Sequence, residues 1–170
     1  FSKPWLLDWL KDEPPAITLP SISNLQAMPR DERLKLRNSA IRLAPFREKH
    51  LVSDPIPFEG GRPIELEHFK LRGVGDGVKI MGILRLYEMP DKRQFLRLTD
   101  FEMTAGYALR ILLAADPYPK SKSDLDKQGY VDLAPLKGEN GPQNYLLPKT
   151  FDLSDFSSFV IYDTLFEIVY

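Results

Sequence analysis

Asp100 and Glu102 stand two residues apart in a run where they alternate with apolar neighbours, so an extended strand would project both from one side. Paired carboxylates on a sheet face are what glycoside hydrolysis uses, although solvation of a surface accounts for them more simply. Asp163 is a different kind of candidate. It falls inside the apolar run 159–170, between Ile161 and Leu165, where a carboxylate is costly unless paired, hydrogen-bonded or open to water. Exposure, or a bond to a nearby backbone amide or hydroxyl, is the expected reading. A functional acid with a raised pKa is the competing one.

Other chemistries are excluded by residue type. The chain of 170 residues has no cysteine, which removes disulfides, thiolate metal sites and thiol redox chemistry. His50 and His68 are its only histidines and sit in unrelated contexts, each reading as a solvated or hydrogen-bonded side chain. No nucleophile elbow, phosphate-cradling loop or zinc helix is present. The three glycines of 73–77 precede a strand and lack a following helix, so they read as a turn. The expectation is a protein without catalytic residues, cofactor or metal. A net charge of −1 disfavours nucleic acid, whose binding domains carry a basic excess.

These candidates need a scaffold, and the sequence predicts an all-β one: an antiparallel sandwich or barrel-like domain over 58–170, preceded by an arm over 1–57. Val78, Ile80, Gly82, Leu84 and Leu86 alternate with more polar residues as a strand does. Met89 to Lys92 reads as a turn, 95–103 and 107–115 as the next strands, and 116–128 as a polar loop. The run 159–170 reads as one strand covered on both faces.

The arm opens on a helix-spaced stretch with Trp5, Leu6, Trp9 and Leu10 on one side, and a helix this short is marginal alone. It is expected either to pack on its own domain or to contact a partner or membrane interface, where tryptophan is favoured. Residues 13–29, with four prolines, read as an extended linker, and 29–43 as a helix entered at Pro29. Between 30 and 50 the basic residues, Arg33 and Arg37 among them, outnumber the acidic ones; a solvated face or an orientation toward anionic lipid or an acidic partner follows. No run approaches the ~18 apolar residues of a membrane span. Because the chain opens on Phe1, removal of a signal peptide, an anchor or a further segment is expected.

The stretch 129–163 carries a long, oddly composed motif: Gly129-Tyr130-Val131-Asp132-Leu133, Pro135-Leu136-Lys137-Gly138, Gly141-Pro142-Gln143-Asn144-Tyr145, and Val160-Ile161-Tyr162-Asp163. With Arg97 to Thr104 and Leu109-Arg110-Ile111, it resembles the DM13 family, a small domain found beside DOMON domains and described as an electron-transfer domain. The likeness covers roughly 58–170. Gly138, Gly141, Asn144 and Tyr145 then read as an architectural signature, the glycines for close approach or positive φ. The family's redox role rests on a cysteine that follows an aromatic residue in the last strand; here Asp163 follows Tyr162. A carboxylate cannot cycle between thiol and disulfide. The turn before Leu109 also departs from the family's Gly-Pro-Asp type.

The resemblance implies an extracytoplasmic setting, and the arm implies attachment. The expected function is a non-catalytic accessory or binding subunit, held by Trp5, Leu6, Trp9, Leu10, Arg33 and Arg37 against protein subunits or a membrane surface, the assembly being of an electron-transfer kind. Two alternatives stand beside it: a redox domain in which Tyr162 or other aromatics replace the thiol, and a sugar- or small-ligand-binding sandwich with a concave apolar site.

Overall fold

The computed structural model describes residues 14–75 and 77–170. The stretch carrying Trp5, Leu6, Trp9 and Leu10 lies outside them. Eight strands form two antiparallel sheets: β1 (Ile64–Lys70), β2 (Ile80–Glu88), β3 (Gln94–Met103), β4 (Leu109–Ala114), β5 (Tyr130–Pro135), β6 (Gln143–Leu146), β7 (Ser158–Asp163) and β8 (Ile168–Val169). One sheet runs β1-β2-β3-β6 and the other β5-β4-β7-β8. The two sheets stay separate, so the domain is an open sandwich and not a closed barrel.

Burial explains the apolar patterns. Leu84, Leu86, Leu96 and Leu98 from the first sheet meet Ile111, Leu113 and Ile161 from the second in the main core. On the outer side of the second sheet, Leu112, Val160, Tyr162 and Val169 form a smaller cluster with Leu125. Leu125 belongs to a helix, Lys122–Gln128, capped by the Ser121 side chain, which accepts from the Asp124 amide at 3.2 Å. Residues 116–128 are therefore not a plain loop. This helix is why β4 and β7 are apolar on both faces.

Two further readings are corrected. The run 159–170 is a hairpin, not a single strand: β7 turns at 164–167 and β8 returns with Tyr162 opposite Val169 and Asp163 opposite Ile168. Within 13–29, residues 22–27 are helical (α1, Ile22–Ala27). The Ser21 side chain caps this helix by accepting from the Asn24 amide, and Leu25 is fully buried. The second and third helices, α2 (Arg30–Lys35) and α3 (Arg37–Leu43), follow Pro29, and Lys122–Gln128 is α4.

The N-terminal segment is packed onto the sandwich. Leu25 and Ala40 join the main core. Residues 50–54 run beside 138–142, the Val52 amide donating to the Asn140 carbonyl at 2.8 Å and the Asp54 amide to that of Pro142 at 2.9 Å.

Candidate functional site

Asp163 ends β7 and is fully buried. Its Oδ2 accepts the Tyr107 amide at 2.8 Å, from the loop between β3 and β4. Its Oδ1 accepts the amides of Leu165 at 2.9 Å and Phe166 at 3.3 Å, within the β7–β8 turn. The carboxylate thus does two jobs at once: it caps the turn that follows it and ties that turn to a loop 56 residues earlier in the chain. Burial pushes its pKa up, outweighing the backbone amides of Tyr107, Phe166, Leu165 and Ala108, which pull it down.

The turn it caps lacks glycine and proline. Glu167 takes φ +53° there, a left-handed conformation uncommon for a residue with a side chain. The fixed amides upstream and the arm hold it in place. Arg33 Nε donates to the Leu165 carbonyl at 2.6 Å, so the Leu165 residue is gripped by Asp163 at its N–H and by Arg33 at its C=O. Arg30 pairs with Glu167 at 3.0 Å.

Aromatic side chains complete the surroundings. The Tyr107 ring meets Phe166 edge-on, centroids 5.0 Å apart, and the Arg47 guanidinium lies over its other side at 3.8 Å, a cation–π contact. The Tyr107 hydroxyl donates to the Ala40 carbonyl at 3.2 Å, linking α3 to the same loop. Tyr162 and Tyr170 are buried, and burial pushes both phenols well above their ordinary range, as it does to a lesser degree for Tyr107. A phenol so placed gives up its proton reluctantly.

The remaining sequence candidates sit elsewhere. A Cβ on Gly138 would come within 2.5 Å of the His50 carbonyl oxygen, and one on Gly141, where φ is +98°, within 2.0 Å of that of Val52. Both glycines therefore admit the 50–54 segment. Asn144 accepts from Arg97 Nη1 at 2.7 Å and donates to the Pro55 carbonyl at 2.7 Å. The Tyr145 hydroxyl accepts the Lys137 amide at 2.8 Å and donates to the side chain of Gln143, itself fully buried. Asn144 and Tyr145 stand on β6, in the other sheet from Asp163, and their polar side chains are spent within the chain. Arg33 is half-buried in the contact to Leu165, whereas Arg37 is exposed at the start of α3.

Asp100 and Glu102 do not act as a pair. A bulge displaces the register of β2 and β3 between Met81 and Ile83, Asp100 adopts φ +49° within it, and Glu102 pairs with Lys49 at 2.6 Å. Among the described residues, no group of three or more His, Cys, Asp or Glu side chains could hold a metal ion.

Sequence reasoning missed the arm's part in the site. Its signal was thin: one buried apolar residue each in α1 and α3 and none in α2, and two arginines whose partners, the Leu165 carbonyl and the Glu167 carboxylate, lie more than 130 positions away.

The architecture is thus a two-sheet antiparallel sandwich whose last hairpin is pinned by a buried carboxylate. The profile of the DM13 family, described as electron transfer DM13, matches residues 74–170, and the chain belongs to that family. The match begins just before β2, so β1 and the arm precede it. No curated protein and no solved structure matches the chain.

Proposed function

We propose that this chain is a non-catalytic accessory or binding subunit of an extracytoplasmic, membrane-associated assembly of the electron-transfer kind, contributing a scaffold and not an electron carrier. The observation that carries this reading is the state of Asp163: fully buried, both oxygens occupied by main-chain amides, at the position where the family resemblance expects a thiol. A carboxylate there has no accessible redox couple, and its oxygens are turned inward to the fold. The family description supports an electron-transfer setting. Attachment is assigned to the segment with Trp5, Leu6, Trp9 and Leu10 together with the exposed Arg37, partner surfaces being acidic protein or anionic lipid. Arg33, engaged with Leu165, is left out of that contact.

Residues beyond 13 contribute Leu25 to the core, so the test is a truncation that spares them. A chain starting at residue 14 is expected to fold with an unchanged urea midpoint and to lose co-purification with its assembly from native membranes. Retention of the truncated chain on the assembly would refute the attachment.

A redox role for the aromatic residues is the second reading, favoured by the Tyr107–Phe166 ring pair beside Asp163 and by Tyr162 and Tyr170, buried in the same C-terminal hairpin. Oxidising a phenol requires a proton acceptor. The direction of the three tyrosine pKa values, all raised by burial, weighs against it.

A further inference from the structure

The two sheets do not close on each other along their whole length. Between them lies a cavity of about 540 Å³, within the range of roughly 300–1,000 Å³ typical of small-molecule sites. Its walls are largely apolar: Leu84, Leu86 and Leu96 from the first sheet and Leu113 and Ile161 from the second, with Phe156, Phe159 and Tyr170 adding aromatic surface. Ser157, Ser158 and Tyr170 are among the few polar side chains that reach the cavity, too few to pair with every hydroxyl of a sugar, and each hydroxyl left over would lose its water without a partner.

The mouth has a different character. Phe69, Val74 and Tyr118 line it and are 54%, 42% and 80% exposed, an unusual concentration of apolar surface in water. Lys70 and Arg72 line the same cavity. Neither forms an ion pair among the described residues, and Glu67 is the one acid among the described lining residues, so these carry an excess of positive charge.

We infer that this cavity binds a single-chain amphiphile of the fatty-acid class, its apolar tail between the sheets and its anionic head at Lys70 and Arg72. Two features select this occupant. The apolar interior rewards a chain of methylenes, since each buried one contributes about 0.8 kcal/mol in transfer from water. The basic rim then discriminates for a carboxylate head over a neutral one. The inference is independent of the assembly proposed above, because it uses neither Asp163 nor the arm.

The probe is cis-parinaric acid, a polyene fatty acid whose emission rises in apolar surroundings, titrated into the full chain and displaced by oleate or by oleyl alcohol. The expected result is saturable enhancement at one equivalent per chain, with oleate displacing the probe at about tenfold lower concentration than oleyl alcohol. The double variant Lys70→Glu with Arg72→Glu, both at exposed positions, is expected to weaken the acid about tenfold and leave the alcohol unchanged. Added salt weakens the acid alone. A cavity-filling variant, Leu84→Phe, checked for folding by its urea midpoint, is expected to reduce probe binding.

Enhancement that rises without saturating would mean adsorption to the exposed apolar rim and would overturn the proposal. So would equal displacement by acid and alcohol, or acid binding untouched by the charge reversal. The charge-reversal arm retains its force even where Leu84→Phe fails to fold.

Discussion

Replacing Asp163 with alanine separates a structural role from a chemical one. The substitution removes the acceptor of three amides, those of Tyr107, Leu165 and Phe166. Each buried donor left unpaired costs ~1–3 kcal/mol, and the longer contact to Phe166 falls at the low end. Relief of the burial cost, visible in the raised pKa, offsets part of this. Exchanging a buried charge for an apolar group can be neutral when both partners are exchanged, but main-chain amides cannot be exchanged. The net expectation is a loss of about 3 kcal/mol at neutral pH, a large share of the ~5–15 kcal/mol typical of a domain.

Asp163→Cys restores the sulfur of the family and is expected to lose nearly as much, because a thiol accepts hydrogen bonds weakly. Urea denaturation followed by circular dichroism, read at constant slope, measures both. Either variant within about 0.5 kcal/mol of the parent would refute the pinning role.

The same residue dictates a pH dependence. Its folded pKa is raised above the ordinary 3.8, so the folded state holds that proton more tightly than the unfolded one. Stability from this linkage is fully present below pH 3.8 and is lost as pH rises through the folded value. The stability difference between the parent and Asp163→Asn should therefore shift toward the parent as pH falls to 3.8; a difference independent of pH would sink the account of the buried carboxylate.

Three further outcomes follow from the packing. Leu25→Ala, at a fully buried position on α1, is expected to cost ~2–5 kcal/mol by chemical denaturation, and a near-neutral effect would mean that the N-terminal segment is a detachable tether. Gly141→Ala brings a Cβ to within 2.0 Å of the Val52 oxygen at a positive φ; a loss on the order of 1–3 kcal/mol and faster amide exchange at Val52 and Asp54 are expected, and unchanged exchange there would contradict the latch. Burial pushes the Tyr145 phenol up to about 12, so it keeps its proton longer in the folded state. Its contribution is present below pH 10 and lost between pH 10 and about 12; Tyr145→Phe should flatten that alkaline decline.

Much of the sandwich is legible from residue order. β3 and β4 alternate or run apolar as buried strands do, and the motif around Gly138 to Tyr145 marks two close approaches, to His50 and to Val52. What escapes is whatever lacks local punctuation. The β7–β8 turn has neither glycine nor proline and is held by Asp163 from within and Arg33 from without, both tertiary effects. α4 hides in a charged stretch because only Leu125 faces the sheet. Asp163 itself was half legible: its apolar flanks demand a partner, but they cannot tell backbone amides from open water. β1 is the reverse case, since Ile64 and Leu66 alternate with Glu65 and Glu67 although the whole edge strand is exposed.

Protein-film voltammetry of the purified full chain tests most directly whether the domain has kept its scaffold without the electron chemistry. A trace with no reversible wave across the biological range is expected for the parent and equally for Asp163→Asn. A reversible wave in the parent, lost when Asp163 or Tyr162 is replaced, would contradict the scaffold reading and assign the redox role to this hairpin.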